Sequence, residues 1–399
     1  MKQDSLRANS RLLGISFLLL CSAISMGIVR PMLPLYLTSL KLEPALVGIV
    51  VSVSMAGMML GESLSGIIAD RFGMLLPLLL GTLACGLALF GFNLGTALAL
   101  LILFSFLWGS LRVLMIGPVR GYMAEIAPLN RRATYIAISS AILSLSRGVG
   151  ALPGGIIADN LGYNWIFWVA GAVAIFGGLG LISIRKPVRR SAADTAPNIR
   201  DSNPKGWLPA FIVLILIGIF GFLNISILLT YVPLLGTQVM GISATSVGLI
   251  FTVNGLATMA FSVPAGVIAD KIGKRTNMIA GLILCALAMG LISFVRDFYW
   301  IIGLGVIHAL GMAFFMTAAI SILAEFIPRG RLATFIGLYG GIGENSGLML
   351  GSVIGGFVWE SLGVSATFLT AVIACGLGIV LCFFLKRIMA PQVRNANLP

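Results

Sequence analysis

Charge is what this chain has least of. Only 10% of its 399 residues are Asp, Glu, Lys or Arg, against about a quarter in soluble globular domains, and that excludes a water-soluble fold. Acids are scarcer than bases, 13 against 26, and there is a single histidine, His308. With one histidine and no CxxC or HExxH spacing the sequence offers no metal cluster, and no nucleophile, base and orienting group occur together. The chain is therefore expected to be neither an enzyme nor a cofactor-binding protein. Cys21, Cys85, Cys285, Cys375 and Cys382 all fall in apolar runs and read as small buried hydrophobes, not as a disulfide framework. Long polar stretches are missing too, apart from Arg185 to Lys205, which leaves no room for a soluble catalytic or receptor domain.

What fills the chain is apolar sequence, with 59% hydrophobic residues and a mean hydropathy of +1.06. A membrane-spanning helix needs about 20 predominantly apolar residues. Runs of that kind begin near Leu12, Ala45, Met74, Thr96, Ala133, Asn164, Trp207, Thr245, Asn277, Phe298, Leu332 and Val364, which predicts twelve helices, six per half. The first run continues through Leu37 without a small-residue cleavage site, so no cleavable signal peptide is expected. Pro31, Pro34, Pro118, Pro153, Pro233 and Pro264 interrupt the runs, where neighbouring helices or water can satisfy the freed backbone groups.

A net charge of +13 invites a nucleic-acid reading, but the placement of the charge argues for topology. With the loops assigned alternately to two sides, twenty of the 26 basic residues share the side of the N-terminus, while Lys41 and Arg296 lie opposite. By the positive-inside rule both termini and the central loop are expected in the cytosol of a bacterial-type inner membrane. The expected partners are the bilayer, protons and a small-molecule substrate, with no nucleic acid, and the chain is expected to act as a monomer.

The sequence also matches itself at a shift of 200 residues. Gly66 to Gly73 reads GIIADRFG and Gly266 to Gly273 reads GVIADKIG; Ala124 to Thr134 (AEIAPLNRRAT) falls on Ala324 to Thr334 (AEFIPRGRLAT). The shift also pairs Gly48 with Gly248, Gly81 with Gly281, Cys85 with Cys285 and Gly155 with Gly355. These matches divide the chain into an N-terminal six-helix bundle (1–188), a cytosolic linker (189–206) and a C-terminal six-helix bundle (207–399). Duplicated bundles are what alternating-access transporters are built from.

On these residues the sequence resembles the major facilitator superfamily over nearly its whole length. The family's loop pattern, Gly, three residues, Asp, a basic residue, one residue, Gly, then basic residues, is met by Gly66, Asp70, Arg71 and Gly73, where Met74, Leu75 and Leu76 replace the basic end. Gly266, Asp270, Lys271, Gly273, Lys274 and Arg275 meet it throughout. The resemblance implies an all-α fold of twelve transmembrane helices in two pseudo-symmetric bundles. It also implies a cytosolic gate of Asp70, Arg71, Arg120, Glu125, Arg131, Asp270, Lys271, Arg275, Glu325 and Arg331, although a solvated helix end is the plainer reading of such charges. Gly27, Pro31 and Pro34 in the first helix are similar to a pattern of the drug:proton antiporter subgroup. Gly148, Gly150, Pro153, Gly154 and Gly155 resemble its antiporter motif with the proline displaced, and small residues there also serve close packing.

Charges inside membrane helices are costly and mark functional sites by default. Arg30, Arg112 and Arg147 all lie in the first half, and two acids, Glu62 and Glu344, stand against them. Glu344 is about 20 Å from Arg331 at a rise of 1.5 Å per residue, near mid-membrane, and is followed by Asn345. Each acid is read as a proton carrier, with a static arginine pair as the alternative. The three arginines exceed what two acids neutralise and favour an anionic or zwitterionic substrate, which guanidinium matches with paired hydrogen bonds. Arg30, Arg112, Arg147, Glu344, Asn345 and His308 are the candidate substrate residues, His308 being equally readable as a hydrogen-bonded interior side chain. The expectation is a proton-coupled efflux transporter for a small amphiphilic organic compound. An uptake symporter or facilitator for an organic anion, or a lipid flippase, is the alternative.

Overall fold

The computed structural model describes residues 2–73, 75–126, 148–183, 208–327 and 332–396. They are nearly all helical, with no strand among the described residues. In chain order the helices are α1 (Lys2–Ser39), α2 (Pro44–Phe72), α3 (Leu75–Gly91), α4 (Leu98–Ile126), α5 (Ala151–Leu161), α6 (Tyr163–Gly177) and α7 (Leu208–Leu234). They continue with α8 (Ala244–Ile272), α9 (Lys274–Ile292), α10 (Phe298–Phe326), α11 (Leu332–Leu338), α12 (Asn345–Leu362) and α13 (Val364–Ala396). A π turn, Tyr339–Glu344, joins α11 to α12, so the two form one span. Among the described residues eight helices are long and apolar enough to cross a membrane. Leu87, Phe176, Ile373 and Phe383 are each more than half exposed, as side chains that meet lipid tails must be.

The contacts divide the chain into two compact units, one of Met1–Arg190 with Val232–Leu256 and the other of Ser191–Tyr231 with Ala257–Pro399. In the first, Phe167 of α6 stacks on Phe92 with ring centroids 4.5 Å apart, and the Tyr36 hydroxyl donates to the Phe92 carbonyl at 3.1 Å. The Ser25 hydroxyl donates to the Ala170 carbonyl at 2.7 Å, tying α1 to α6. Helices α2 and α4 approach so closely that a Cβ on Gly57, Gly61 or Gly109 would run into the carbonyl of Phe106, Ser110 or Ser54 respectively. In the second unit, Gly281 of α9 and Gly311 of α10 face each other's carbonyls in the same way. Ser226 of α7 donates to the Leu348 carbonyl and shares a 2.8 Å hydrogen bond with Ser352 of α12.

Gly73 and Gly273 end α2 and α8 with φ of 80° and 92°, a conformation that costs glycine nothing and other residues dearly, so the repeated loop has a backbone reason for its final glycine. The repeat does not stay at 200 throughout. Gly162 and Gly363, which end α5 and α12 with φ of 92° and 88°, are 201 apart. At that spacing Gly154-Gly155 falls on Gly355-Gly356 rather than Gly155 on Gly355. The π turn explains the change of register: a π turn accommodates one extra residue in a helix, and Tyr339–Glu344 lies between the segment matched at 200 and the one matched at 201.

Gly109→Ala should destabilise the purified protein by about 1–3 kcal/mol, because a packed backbone cannot give way to the added methyl. Gly303→Ala, where no atom lies within 4 Å of the added methyl, should leave the melting temperature unchanged or raise it. Equal melting of the two variants would refute the α2/α4 packing.

Candidate functional site

Arg112 is the most deeply placed charge among the described residues, 7% exposed on the fourth span. Its guanidinium donates to the Met26 sulfur of α1 and, at 2.9 Å, to the Met58 sulfur of α2, and it lies 6.0 Å from the Trp108 ring centroid. Thioethers are weak, polarisable acceptors, so these two contacts hold the guanidinium through soft, adaptable groups. Ser105, Trp108 and Arg112, spaced three and four apart, share one stripe of α4. Ser105 Oγ and Trp108 Nε1 are buried without a hydrogen-bond partner among the described residues. The stripe thus presents three donors inside an apolar bundle, a chemistry suited to an acceptor-rich, negatively charged head group. Arg30 on α1 and Glu62 on α2 are half-buried in the same unit.

In the second unit Glu344 is half-buried as the last residue of the π turn, and Asn345, 3% exposed, opens α12. Wide turns recur at functional sites because they leave the helical ladder irregular. The Tyr339 hydroxyl, which opens this turn, is buried with no partner among the described residues, and its ring fills the space left by Gly218 of α7. Sequence reasoning missed Tyr339, for nothing in a lone tyrosine within an apolar run distinguishes it.

His308 is 1% exposed on α10, and its Nε2 meets Asn224 Oδ1 of α7 at 2.7 Å. Asn224 in turn donates from Nδ2 to the Cys375 sulfur of α13 at 3.2 Å. The imidazole therefore belongs to a polar network that ties three helices of the second unit together.

At the ends of the spans, Lys274 in the first turn of α9 pairs with Glu325 in the last turn of α10, N to O 2.5 Å. Each charge sits at the unfavourable end of its own helix dipole and at the favourable end of its neighbour's. Arg275 donates from Nε to the Cys382 carbonyl at 2.7 Å and lies 4.8 Å from the Phe383 ring centroid, fastening α9 to α13. Asp270 and Lys271 are exposed on the last turn of α8, and Arg71 is exposed at the end of α2. Asp70 falls on the last turns of α2, and Arg120 and Glu125 on the last turns of α4. The expectations for Arg131, Arg147 and Arg331 lie outside the described residues.

A residue not singled out in the sequence is Asp159, near the end of α5. Its carboxylate accepts from the Ala244 N–H at 3.0 Å, the Thr245 N–H at 2.7 Å and the Thr245 hydroxyl at 2.6 Å. The readable signal is Ser243-Ala244-Thr245 at the start of a long helix, whose free N–H groups need acceptors.

Two six-helix repeats, glycine-lined helix contacts and polar side chains buried within the spans define a multi-pass membrane transporter. The sequence profile of the Major Facilitator Superfamily matches residues 15–245 and 214–397, so the chain belongs to that superfamily. It is 23% identical over 378 residues to an uncharacterized MFS-type transporter of Methanocaldococcus jannaschii, covering 90% of this chain and 93% of that protein. It is 23% identical over 382 residues to multidrug resistance protein 2 of Bacillus subtilis, covering 91% and 92%. The quinolone resistance protein NorA of Staphylococcus aureus is 25% identical over 186 residues, 46% of this chain and 48% of that one. Among solved structures, the inward-facing, unoccupied bacterial homolog of the human lysosomal transporter Spinster shares the fold with a TM-score of 0.82 at 14% identity, covering 96% of this chain and 98% of that one. These relatives and structural neighbours are transporters, not enzymes.

Asn224→Ala should lower the melting temperature, since it strands the buried His308 at a cost of about 1–3 kcal/mol. His308→Gln, which keeps a polar partner for Asn224, should leave the pH dependence of transport where it was. A displaced pH profile with intact stability would make His308 a proton relay instead.

Proposed function

We propose that this chain is a proton-coupled exporter of a small amphiphilic, anionic organic compound, working by alternating access. The observation that carries the reading is the buried Arg112 among Met26, Met58 and Trp108. A guanidinium surrounded by pliable sulfurs and an indole, in line with Ser105 and Trp108 donors, suits a ligand with a charged head and an adaptable apolar body. The relatives named as multidrug resistance and quinolone resistance proteins support export.

In this reading Glu344, with Glu62, carries the proton, because a carboxylate half-buried within a span can be neutralised as its surroundings change. Arg112 and Arg30 contact the substrate or couple to the carboxylates, with Arg147, Asn345 and His308 completing the substrate-side set. Asp70, Arg71, Arg120, Glu125, Arg131, Asp270, Lys271, Arg275, Glu325 and Arg331 form the cytosolic gate. The Lys274–Glu325 pair supports a gate of ionic contacts at that end, though a pair this exposed adds little stability of its own. The protein sits as a monomer in the inner membrane, both termini in the cytosol, as the distribution of Lys and Arg favours.

A thermal-shift screen of the purified protein against organic acids, chelates, lipids and antibiotics would supply a substrate. In everted vesicles an imposed proton gradient should then drive that compound inward, the equivalent of export. Glu344→Gln should insert normally and lose gradient-driven flux by about tenfold or more, as expected when a proton-carrying group is removed. Undiminished flux from this variant would refute the role of Glu344, and flux in the opposite direction would make the protein an uptake symporter.

A further inference from the structure

The Asp159 contacts are the last rung of a seam. Helix α5 belongs to the first sequence repeat and α8 to the second, yet the first part of α8, Ala244 to Leu256, runs against α5 inside the first compact unit. At the deep end of the seam the Thr252 hydroxyl donates to the Gly148 carbonyl at 2.8 Å and lies 3.1 Å from the Leu152 N–H, a stretch of α5 where a proline follows and the backbone needs a side-chain partner. Further along, a Cβ on Gly248 would strike the Ala151 carbonyl, and one on Gly155 the Ala244 carbonyl. The seam ends where the Asp159 carboxylate closes over the first N–H groups of α8. An anionic cap at a helix N-terminus meets both the unpaired donors and the positive end of the helix dipole.

The other repeat cannot build this cap. At the spacing of 201 Asp159 corresponds to Glu360, but the helix start equivalent to Ala244-Thr245 is Pro44-Ala45, where proline has no N–H to give and alanine no hydroxyl. The device is single, and it lies at the end of α8 remote from the Asp270 loop.

We infer that Asp159 is the latch of the outer gate: a positioning residue whose cap on α8 holds the seam closed and must be released each time the site opens outward. In an alternating-access cycle one repeat rocks against the other, so contacts joining α5 to α8 at one face cannot persist through both halves of the cycle. Three hydrogen bonds to one carboxylate make this the strongest rung of the seam, and its rupture sets the ease of outward opening. The inference rests on alternating access and on the membrane orientation proposed above, and not on proton coupling, on the substrate or on the direction of transport.

The test uses the full chain in lipid nanodiscs with its five buried cysteines replaced by alanine and one reporter cysteine at a time. Ala151, 1% exposed within the seam, and Ala269, 2% exposed near the other end of α8, are the reporter positions. With Ala151→Cys, Asp159→Asn and Asp159→Ala should speed reaction with a water-soluble maleimide about tenfold, the factor that loss of one hydrogen bond to a charged group corresponds to. With Ala269→Cys the same variants should react at the parent rate. Should Asp159→Ala fail to fold, Asp159→Asn, which keeps the side-chain shape, and Thr245→Val, which removes one donor, carry the test. An unchanged rate at Ala151, or an equal acceleration at both reporters, overturns the latch, the latter by showing general loosening.

Discussion

A bilayer core contains no water, and everything in this structure follows from where that leaves the backbone. Each peptide group must find its partner within its own helix, so the helices form first and must then be held together without a hydrophobic driving force between them. The chain meets this with proximity. At Gly57, Gly61 and Gly109, at Gly281 and Gly311, and at Gly155 and Gly248, the absence of a side chain brings one helix onto the carbonyls of another. Hydroxyls of Ser25, Ser226 and Thr252 then add directed bonds across the contacts. The same lack of water makes each buried polar atom conspicuous, which is why Arg112, Trp108 and Tyr339 stand out inside their spans.

The two repeats share their mechanics and differ in their chemistry. Both use a left-handed glycine to end the second helix of the repeat, and both crowd that repeat's fifth span with glycine. Only the first carries an arginine on the buried face of its fourth span, since the residue at 312 is a methionine. Among the described residues, the second carries a wide turn with a carboxylate at its edge. Unlike charges thus stand in unlike halves, an asymmetry laid over a shared backbone plan.

Much of the fold was legible because membranes restrict the vocabulary. Helix count, helix limits and the repeated loops all follow from apolar length and from glycines that the backbone demands. The candidate site was legible only where a charge interrupts an apolar run, as at Arg112 and Glu344. The partners were not, because the acceptors of Arg112 are methionines, among many that serve as ordinary core, and the donors to Asp159 are backbone N–H groups, identical in every residue but proline. The register change was hidden for a related reason. Gly355 is matched by Gly155 at a shift of 200 and by Gly154 at 201, so a glycine pair masks a one-residue insertion until the turn that absorbs it is seen.

That turn has a mechanical meaning. On either side of it the backbone is a regular rod: α11 with seven residues spans about 10 Å, and α12 with 18 residues about 27 Å, at 1.5 Å per residue. Between them lies a glycine-rich stretch, Gly340, Gly341 and Gly343, whose wider hydrogen-bonded rings resist bending less than an α-helix does. The eleventh span is thus a lever with unequal arms and a soft fulcrum, and the fulcrum carries Glu344. A small change of contacts at such a pivot is magnified along the longer arm, so under the role proposed for Glu344 an event the size of one side chain would reach the far end of the helix as a larger displacement.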